Sequence, residues 1–245
     1  MITLVGTGHV FDIGSRVRDE IRKRAPQIVA IELDPPRFHA LRTKDQPQPA
    51  GAKQHKAPFV YRMLADFQKR IASQYGTEAG AEMLAAAEEA RALGVPLALI
   101  DKDAQQTFQR LLSEMRFSEK AKLAGSAMAG LFLPGKSIDK QVDEMQDDYA
   151  RYFDEMGKRF PTVKRVLLDE RNEHMARAII EMAKTNERIV AVMGDGHVDG
   201  ISAILQTQGL AFETVRLKQL RSAAPVGTAT ATISLDISGE SPPPR

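Results

Sequence analysis

The feature that most limits what this chain can fold into is a repeat. Arg188–Ile201 reads RIVAVMGDGHVDGI, and Ile2–Ile13 at the other end reads ITLVGTGHVFDI. In both copies an apolar run breaks at Gly-x-Gly-His with Val after the histidine: Gly6-Thr7-Gly8-His9-Val10 and Gly194-Asp195-Gly196-His197-Val198. β-Branched apolar residues that run into glycine read as a buried strand ending in a tight turn, because glycine enters positive φ without a Cβ clash. Each histidine is therefore expected just past the carboxyl end of a strand. Ligands bind at that edge of an open α/β sheet, so two such histidines could converge on one site. Packing offers no evident reason to repeat a histidine in this way.

The intervening sequence supplies the rest of such a sheet. Ile13, Val17 and Ile21 form a helical stripe ended by Pro26, and Gln27–Asp34 (QIVAIELD) reads as a second strand. Strand, turn, helix and strand within about thirty residues make a βαβ unit with parallel strands and a right-handed crossover. Pro35-Pro36 stops the strand, a short helix is expected over Arg37–Arg42, and Thr43–Pro58 reads as a loop. Phe59–Leu93 is helical in pattern, and Val95–Asp101 (VPLALID) returns as a buried strand. Lys102–Met115, Ser118–Met128, Ser137–Phe160 and the segment from Pro161 through Arg171 to Lys184 read as helices. Ile189–Met193 is the strand of the second motif, Ile201–Gln208 the following helix and Phe212–Leu217 a last strand. The expected fold is α/β: a mixed or mostly parallel central sheet with a pseudo-duplicated strand–GxxH–helix core and a helical insertion. It would occupy residues 1–221, with the insertion at about 59–93 and 102–184. Residues 222–245 read as a flexible tail, with a weakly alternating edge strand at Thr228–Ile237.

Composition removes several alternatives. Among 245 residues, 34 Lys and Arg face 32 Asp and Glu, scattered throughout, so no electrostatic footprint for nucleic acid stands out. The absence of cysteine excludes a disulfide framework, a thiolate nucleophile and a Cys-based zinc site, leaving histidine and carboxylate as metal ligands. The first strand begins at Ile2 with no basic n-region or apolar h-region before it, so a cytoplasmic location is the default expectation. Leu123–Gly135, the longest weakly polar run, is too short and too glycine-rich to span a bilayer.

Four strands far apart in sequence end in His9, Glu32, Asp101 and His197, and Asp34 lies two residues beyond Glu32 on the same face. If these strands are neighbours in a parallel sheet, the side chains share one edge. Two imidazoles with one or two carboxylates suit Mn²⁺, Co²⁺, Zn²⁺ or Fe²⁺. An open coordination position would lower the pKa of a bound water toward about 7, which is hydrolytic chemistry. Each residue also has a plainer reading: a strand-end carboxylate caps the next helix, and a histidine in a glycine turn bonds to backbone. Asp101 stands nearest that plainer reading. In Asp169-Glu170-Arg171-Asn172 an arginine that reaches the site could clamp a substrate carboxylate or stabilise an oxyanion. His174 is expected on the surface, His39 and His55 are given no role, and there is no HExxH.

Two motif matches are set aside. Gly130–Ser137 fits G-x-x-x-x-G-K-[ST], but a phosphate loop must follow a buried strand, and Ala121–Gly130 reads as helix. Gly6-x-Gly8 with Glu32 or Asp34 imitates a dinucleotide fingerprint, but Phe11 holds the third glycine position and His9 sits where a pyrophosphate would approach.

Taken together, Val5–Val10, Val29–Asp34, Leu99–Asp103, Asp169–Asn172 and Val192–Ile201 resemble the TraB/PrgY family, which belongs with the GumN and Tiki proteins. The resemblance covers roughly Ile2 to Leu217. It implies a mixed α/β domain on a pseudo-duplicated core and, by similarity to Tiki proteins, metal-dependent peptidase chemistry. The matching positions are His9 and His197 for the paired histidines, Glu32 for the strand glutamate and Arg171 for the helix arginine. His9, His197 and Glu32 would hold the divalent ion, with Glu32 and Arg171 catalytic and Asp34, Asp101 and Asp195 toward substrate. Members resembling PrgY are linked to shutting down peptide pheromone signalling, so a small peptide is the implied substrate or ligand. A binding module using the same pocket without turnover is the competing expectation, and a homo-oligomer is open to either. The chain departs from the family pattern at Gly8 and Phe11, at Asn172 where Asp is common, and at Asp195, which adds a carboxylate able to ligate metal or repel an acidic substrate. Archaeal relatives carry a membrane-spanning C-terminal region, so membrane association is expected only through a region absent from this sequence. The chain is then the soluble part of a membrane-anchored relative or a soluble variant.

Overall fold

The computed structural model describes residues 1–8, 12–43, 80–122, 155 and 157–222. In chain order the elements are β1 (Ile2–Thr7), α1 (Gly14–Arg24), β2 (Ile28–Ile31), α2 (Pro35–Arg42), α3 (Ala81–Ala92), β3 (Leu97–Leu99) and α4 (Ala104–Glu114). Then come α5 (Pro161–Lys164), a π-helical turn (Arg165–Asp169), α6 (Glu170–Ala183), β4 (Ile189–Gly194), α7 (Asp195–Thr207), β5 (Phe212–Val215) and α8 (Leu217–Ser222). The strands form one sheet in the order β3-β2-β4-β1-β5. Every pairing is parallel, with Val5 beside both Val192 and Val215, and Ile31 beside both Val192 and Leu99. The chain is an α/β protein, and the sheet expected to be mixed or mostly parallel is wholly parallel among the described strands.

Alternation along the strands explains the layers. Val5, Val29, Ile31, Val190 and Val192 project to one face, against Val17 and Ile21 of α1, Met83, Ala86 and Ala90 of α3, and Leu217 and Leu220 of α8. Leu4, Ala30, Ile189, Ala191 and Met193 project to the other, against Met175, Ala176 and Ile179 of α6 and Val198, Ile201 and Leu205 of α7. Each fully buried Leu, Ile or Met contributes about 1.5–3 kcal/mol, so these two apolar layers hold the sheet between its helices. β4 is apolar on both sides, as the central strand of a covered parallel sheet must be, and it takes the place between β1 and β2. The first βαβ unit is therefore parallel but its strands are not adjacent.

The two repeated strands lie side by side. After β1 the chain passes to α1 on one face; after β4 it passes to α7 on the other. Connections diverging from neighbouring strands open a crevice at the carboxyl edge. The glycines of the repeat do a different job from the one expected. Gly6 is in β1, Gly194 has φ −58° and Gly196 is in α7, so none adopts positive φ. What they permit is close approach: a Cβ on Gly6 would lie 2.2 Å from Asp195 Oδ1. Positive φ falls instead at Gly80, Gly94, Gly209 and the C-cap Ala25.

β2 ends at Ile31, and Pro35 and Pro36 open α2, since the first helical residues need no N–H partner. A third apolar cluster, Phe108, Leu111 and Met115 with Val166, braces α4 against the π-helical turn that leads into α6. No helix among the described residues is long and apolar enough to cross a membrane. The expected loop beyond Thr43, the helical pattern over 59–79, the G-x-x-x-x-G-K-S match and the expected edge strand at Thr228–Ile237 lie outside the described residues.

Candidate functional site

The sheet order places the ends of β3, β2, β4 and β1 in succession along the carboxyl edge, the four strands that lead to Asp101, Glu32, His197 and His9. The ladder continues a little past the strands: Glu32 N donates to Val192 O at 3.0 Å, and Asp101 N to Leu33 O at 3.3 Å. Glu32 is thereby fixed between the ends of β4 and β3. His9 lies outside the described residues, directly after the described Gly8.

His197 is not in a turn. α7 begins at Asp195, so the imidazole rises from the helix's first turn, buried at the crevice. Asn172 Oδ1 lies 2.6 Å from its Nδ1, and its Nε2 faces Glu32 Oε1 at 3.3 Å. An amide oxygen can only accept, so Nδ1 carries the hydrogen, and in the neutral ring Nε2 then presents a lone pair. At 3.3 Å the two acceptors leave room for a cation shared between them, a proton on Nε2 or a metal ion, beside the Arg171 guanidinium that Oε1 also meets.

Glu32 is gripped from two directions. Its Oε2 accepts from Gly194 N at 2.6 Å, at the N-terminal end of α7, and its Oε1 accepts from Arg171 Nη2. Arg171 enters from α6 and also donates from Nε and Nη2 to the two oxygens of Asp101, at 2.9 and 2.8 Å. Its Nη1 donates to Leu167 O in the π-helical turn. Asp101 further accepts from Arg37 Nη1 at 3.0 Å and from Lys102 N at 2.8 Å. Burial works to lower the Arg171 pKa, but Glu32 and Asp101 outweigh it and hold the guanidinium above its ordinary value. Glu32, Asp101 and His197, all buried, and the partly buried Arg171 thus form one cluster.

The other two carboxylates are engaged elsewhere. Asp34 Oδ1 caps α2 through Arg37 N at 2.7 Å, and its Oδ2 accepts from Ala104 N, the first residue of α4, at 2.8 Å. Asp195 accepts from Arg216 Nη2 at 2.7 Å and from Leu217 N at 2.8 Å, tying α7 to the end of β5. Hydrogen bonds that Arg216 donates to Asp195, and then to Asp199, keep its pKa above the ordinary value. His174 and His39 are exposed, as expected for the first. Three contributors had no assigned role: Asn172, Arg37 and the Gly194 amide. Only Arg37 carried a local signal, because Asp34-Pro-Pro-Arg37 has the spacing of a helix cap.

No group of three or more His, Cys, Asp or Glu side chains placed to hold a metal ion occurs among the described residues. Those residues supply two donors, His197 Nε2 and Glu32 Oε1. Their chemistry fits a divalent cation, because Nδ1 is anchored by an acceptor and this leaves Nε2 for the ion.

The parallel sheet and the Glu–Arg–Asp–His cluster at the ends of β3, β2 and β4 define an α/β protein with a polar site at the carboxyl edge of its sheet. Residues 1–214 match the TraB/PrgY/gumN family, and the chain belongs to that family. It is also similar to an uncharacterised protein of Methanocaldococcus jannaschii, with 34% identity over 211 residues, covering 84% of this chain and 53% of that relative. The chain spans about half the length of that curated relative.

Proposed function

We propose that the chain is a metal-dependent hydrolase, a peptidase acting on small peptides. The observation that carries the reading is the pair of facing acceptors, His197 Nε2 and Glu32 Oε1, 3.3 Å apart with Nδ1 already committed to Asn172. His197 and Glu32 would hold the ion together with His9, which the repeat places after the neighbouring strand. The chemistry that a divalent cation would supply there is a bound water with its pKa lowered toward about 7 and a polarised carbonyl. Among the described residues, Glu32 is the carboxylate that faces that position. Arg171 holds Glu32 and Asp101 in place and has a second Nη1 hydrogen to offer a developing oxyanion. The peptide rests on the resemblance to PrgY and Tiki proteins.

A second reading, a peptide-binding module without turnover, is favoured by the charge balance. Arg171 and Arg37 already match Glu32 and Asp101 one for one. Elemental analysis with thermal shifts in Mn²⁺, Co²⁺, Zn²⁺ and Fe²⁺ separates the two. Near-stoichiometric ion is expected in wild type, with stabilisation of about 2.7 kcal/mol at a hundredfold excess over Kd, and neither effect in His197→Ala. Stoichiometric ion retained by His197→Ala would remove the assignment. Saturable peptide binding with intact peptide recovered under every ion would establish the binding module.

A further inference from the structure

We infer that Asn172 is the positioning residue for His197 and that Gly200 is the slot that admits it, an inference that rests on the reading of His197 as a ligand. Asn172 is a buried polar residue on α6, and its Oδ1 meets His197 Nδ1 at 2.6 Å. Across from it on α7, a Cβ on Gly200 would lie 2.1 Å from Asn172 Nδ2 and 2.9 Å from its Cγ. The amide therefore sits flush against the α7 backbone, where no larger residue leaves it room. Consecutive residues of one helix brace both donors from behind, Arg171 on Glu32 and Asn172 on His197.

The choice of an amide has chemical content. An acceptor at Nδ1 fixes the hydrogen there and turns Nε2 toward Glu32 as a lone-pair donor. Being neutral, it does so without adding a third carboxylate beside Glu32 and Asp101. Asn172 so placed selects the tautomer, while Gly200 fixes the position of the amide that selects it.

The test is ¹⁵N NMR of the histidine rings in the full chain, with the His197 signals identified by their loss in His197→Ala. In wild type, Nδ1 is expected to carry the hydrogen. Asn172→Asp, which keeps an acceptor, is expected to preserve this. Asn172→Ala, checked for folding by circular dichroism, is expected to lose the fixed tautomer and to weaken Mn²⁺ or Zn²⁺ binding by about 10–100-fold. A wild-type ring protonated only at Nε2, or an Asn172→Ala ring still held in the Nδ1–H form, overturns the inference. If Asn172→Ala does not fold, wild type and Asn172→Asp decide, and loss of the Nδ1 hydrogen in Asn172→Asp overturns it equally. A wild type with Nδ1–H fixed but no affinity for any divalent ion would sink the metal reading and leave the positioning role standing.

Discussion

Arg171 is the residue on which the site's electrostatics turn. One guanidinium meets two buried carboxylates, Glu32 and Asp101, and its fork geometry lets it bond both while reaching back to Leu167 O. Removing it would leave those carboxylates close together without the guanidinium that bridges them, with the partly exposed Arg37 still on Asp101. Breaking one partner of such a buried network costs about 3–5 kcal/mol. Arg171→Ala is expected to lower the urea midpoint accordingly. Arg171→Lys should recover only part of the loss, because an ammonium cannot present the planar fork. Adding Asp101→Asn to Arg171→Ala should restore some of the stability by removing one of the two carboxylates left close together, and a double-mutant cycle in urea measures that coupling. Equal midpoints for Arg171→Ala and wild type would show that the cluster contributes nothing to folding. At this scale the sequence was partly legible: the strand ends pointed to Glu32 and Asp101 at one edge, but nothing in Asp169–Asn172 distinguishes a solvated helical face from one turned inward.

At the scale of elements, the contact between β1 and the start of α7 depends on Gly6. A methyl group there would meet Asp195 Oδ1 at 2.2 Å and Val198 Cγ2 at 3.0 Å. Asp195 cannot easily retreat, since Arg216 and Leu217 N hold its carboxylate. Gly6→Ala is expected to cost about 1–3 kcal/mol by overpacking, read as a lower thermal midpoint with the same unfolding cooperativity. A midpoint unchanged within error would mean that α7 shifts freely and that the repeat's first glycine has no packing role. The glycines of the repeat were legible as constraints, but their cause was not. Sequence reading assigns them to turns with positive φ, whereas Gly6 and Gly200 serve close approach of side chains from elements 189 and 28 positions away, Asp195 and Asn172.

For the whole molecule, distant segments are joined by carboxylates that ionise more readily folded than unfolded. Burial pushes the Glu119 pKa up, but hydrogen bonds from Thr162 side chain and backbone and from Arg116 N outweigh it, and the pKa falls below its ordinary 4.5. Glu213 is lowered as well, by hydrogen bonds from Thr3 and Arg24. A depressed carboxylate pKa contributes stability that is whole above the unfolded value and is lost as pH falls through the folded value. The urea midpoint is therefore expected to hold from neutral pH down to about 5 and to fall below about 4.5. Glu119→Gln should have a lower midpoint at pH 7 and a smaller further loss between pH 5 and 3.5. The same acid loss in Glu119→Gln as in wild type would assign that sensitivity to other groups.

By itself the sequence determined the α/β class and the carboxyl edge of one sheet at which Glu32, Asp101 and His197 meet. It could do so because strand periodicity and the ending of a strand are local properties, written within a few residues of one another. The tertiary structure decided that β4 lies between β1 and β2, that His197 rises from a helix, and that Asn172 and Gly200 hold it. It also decided that Asp34 caps α2 while Asp101 meets Arg171. These are pairings across long separations, set by which faces pack and which buried charges find partners. No short window of sequence contains both members of such a pair.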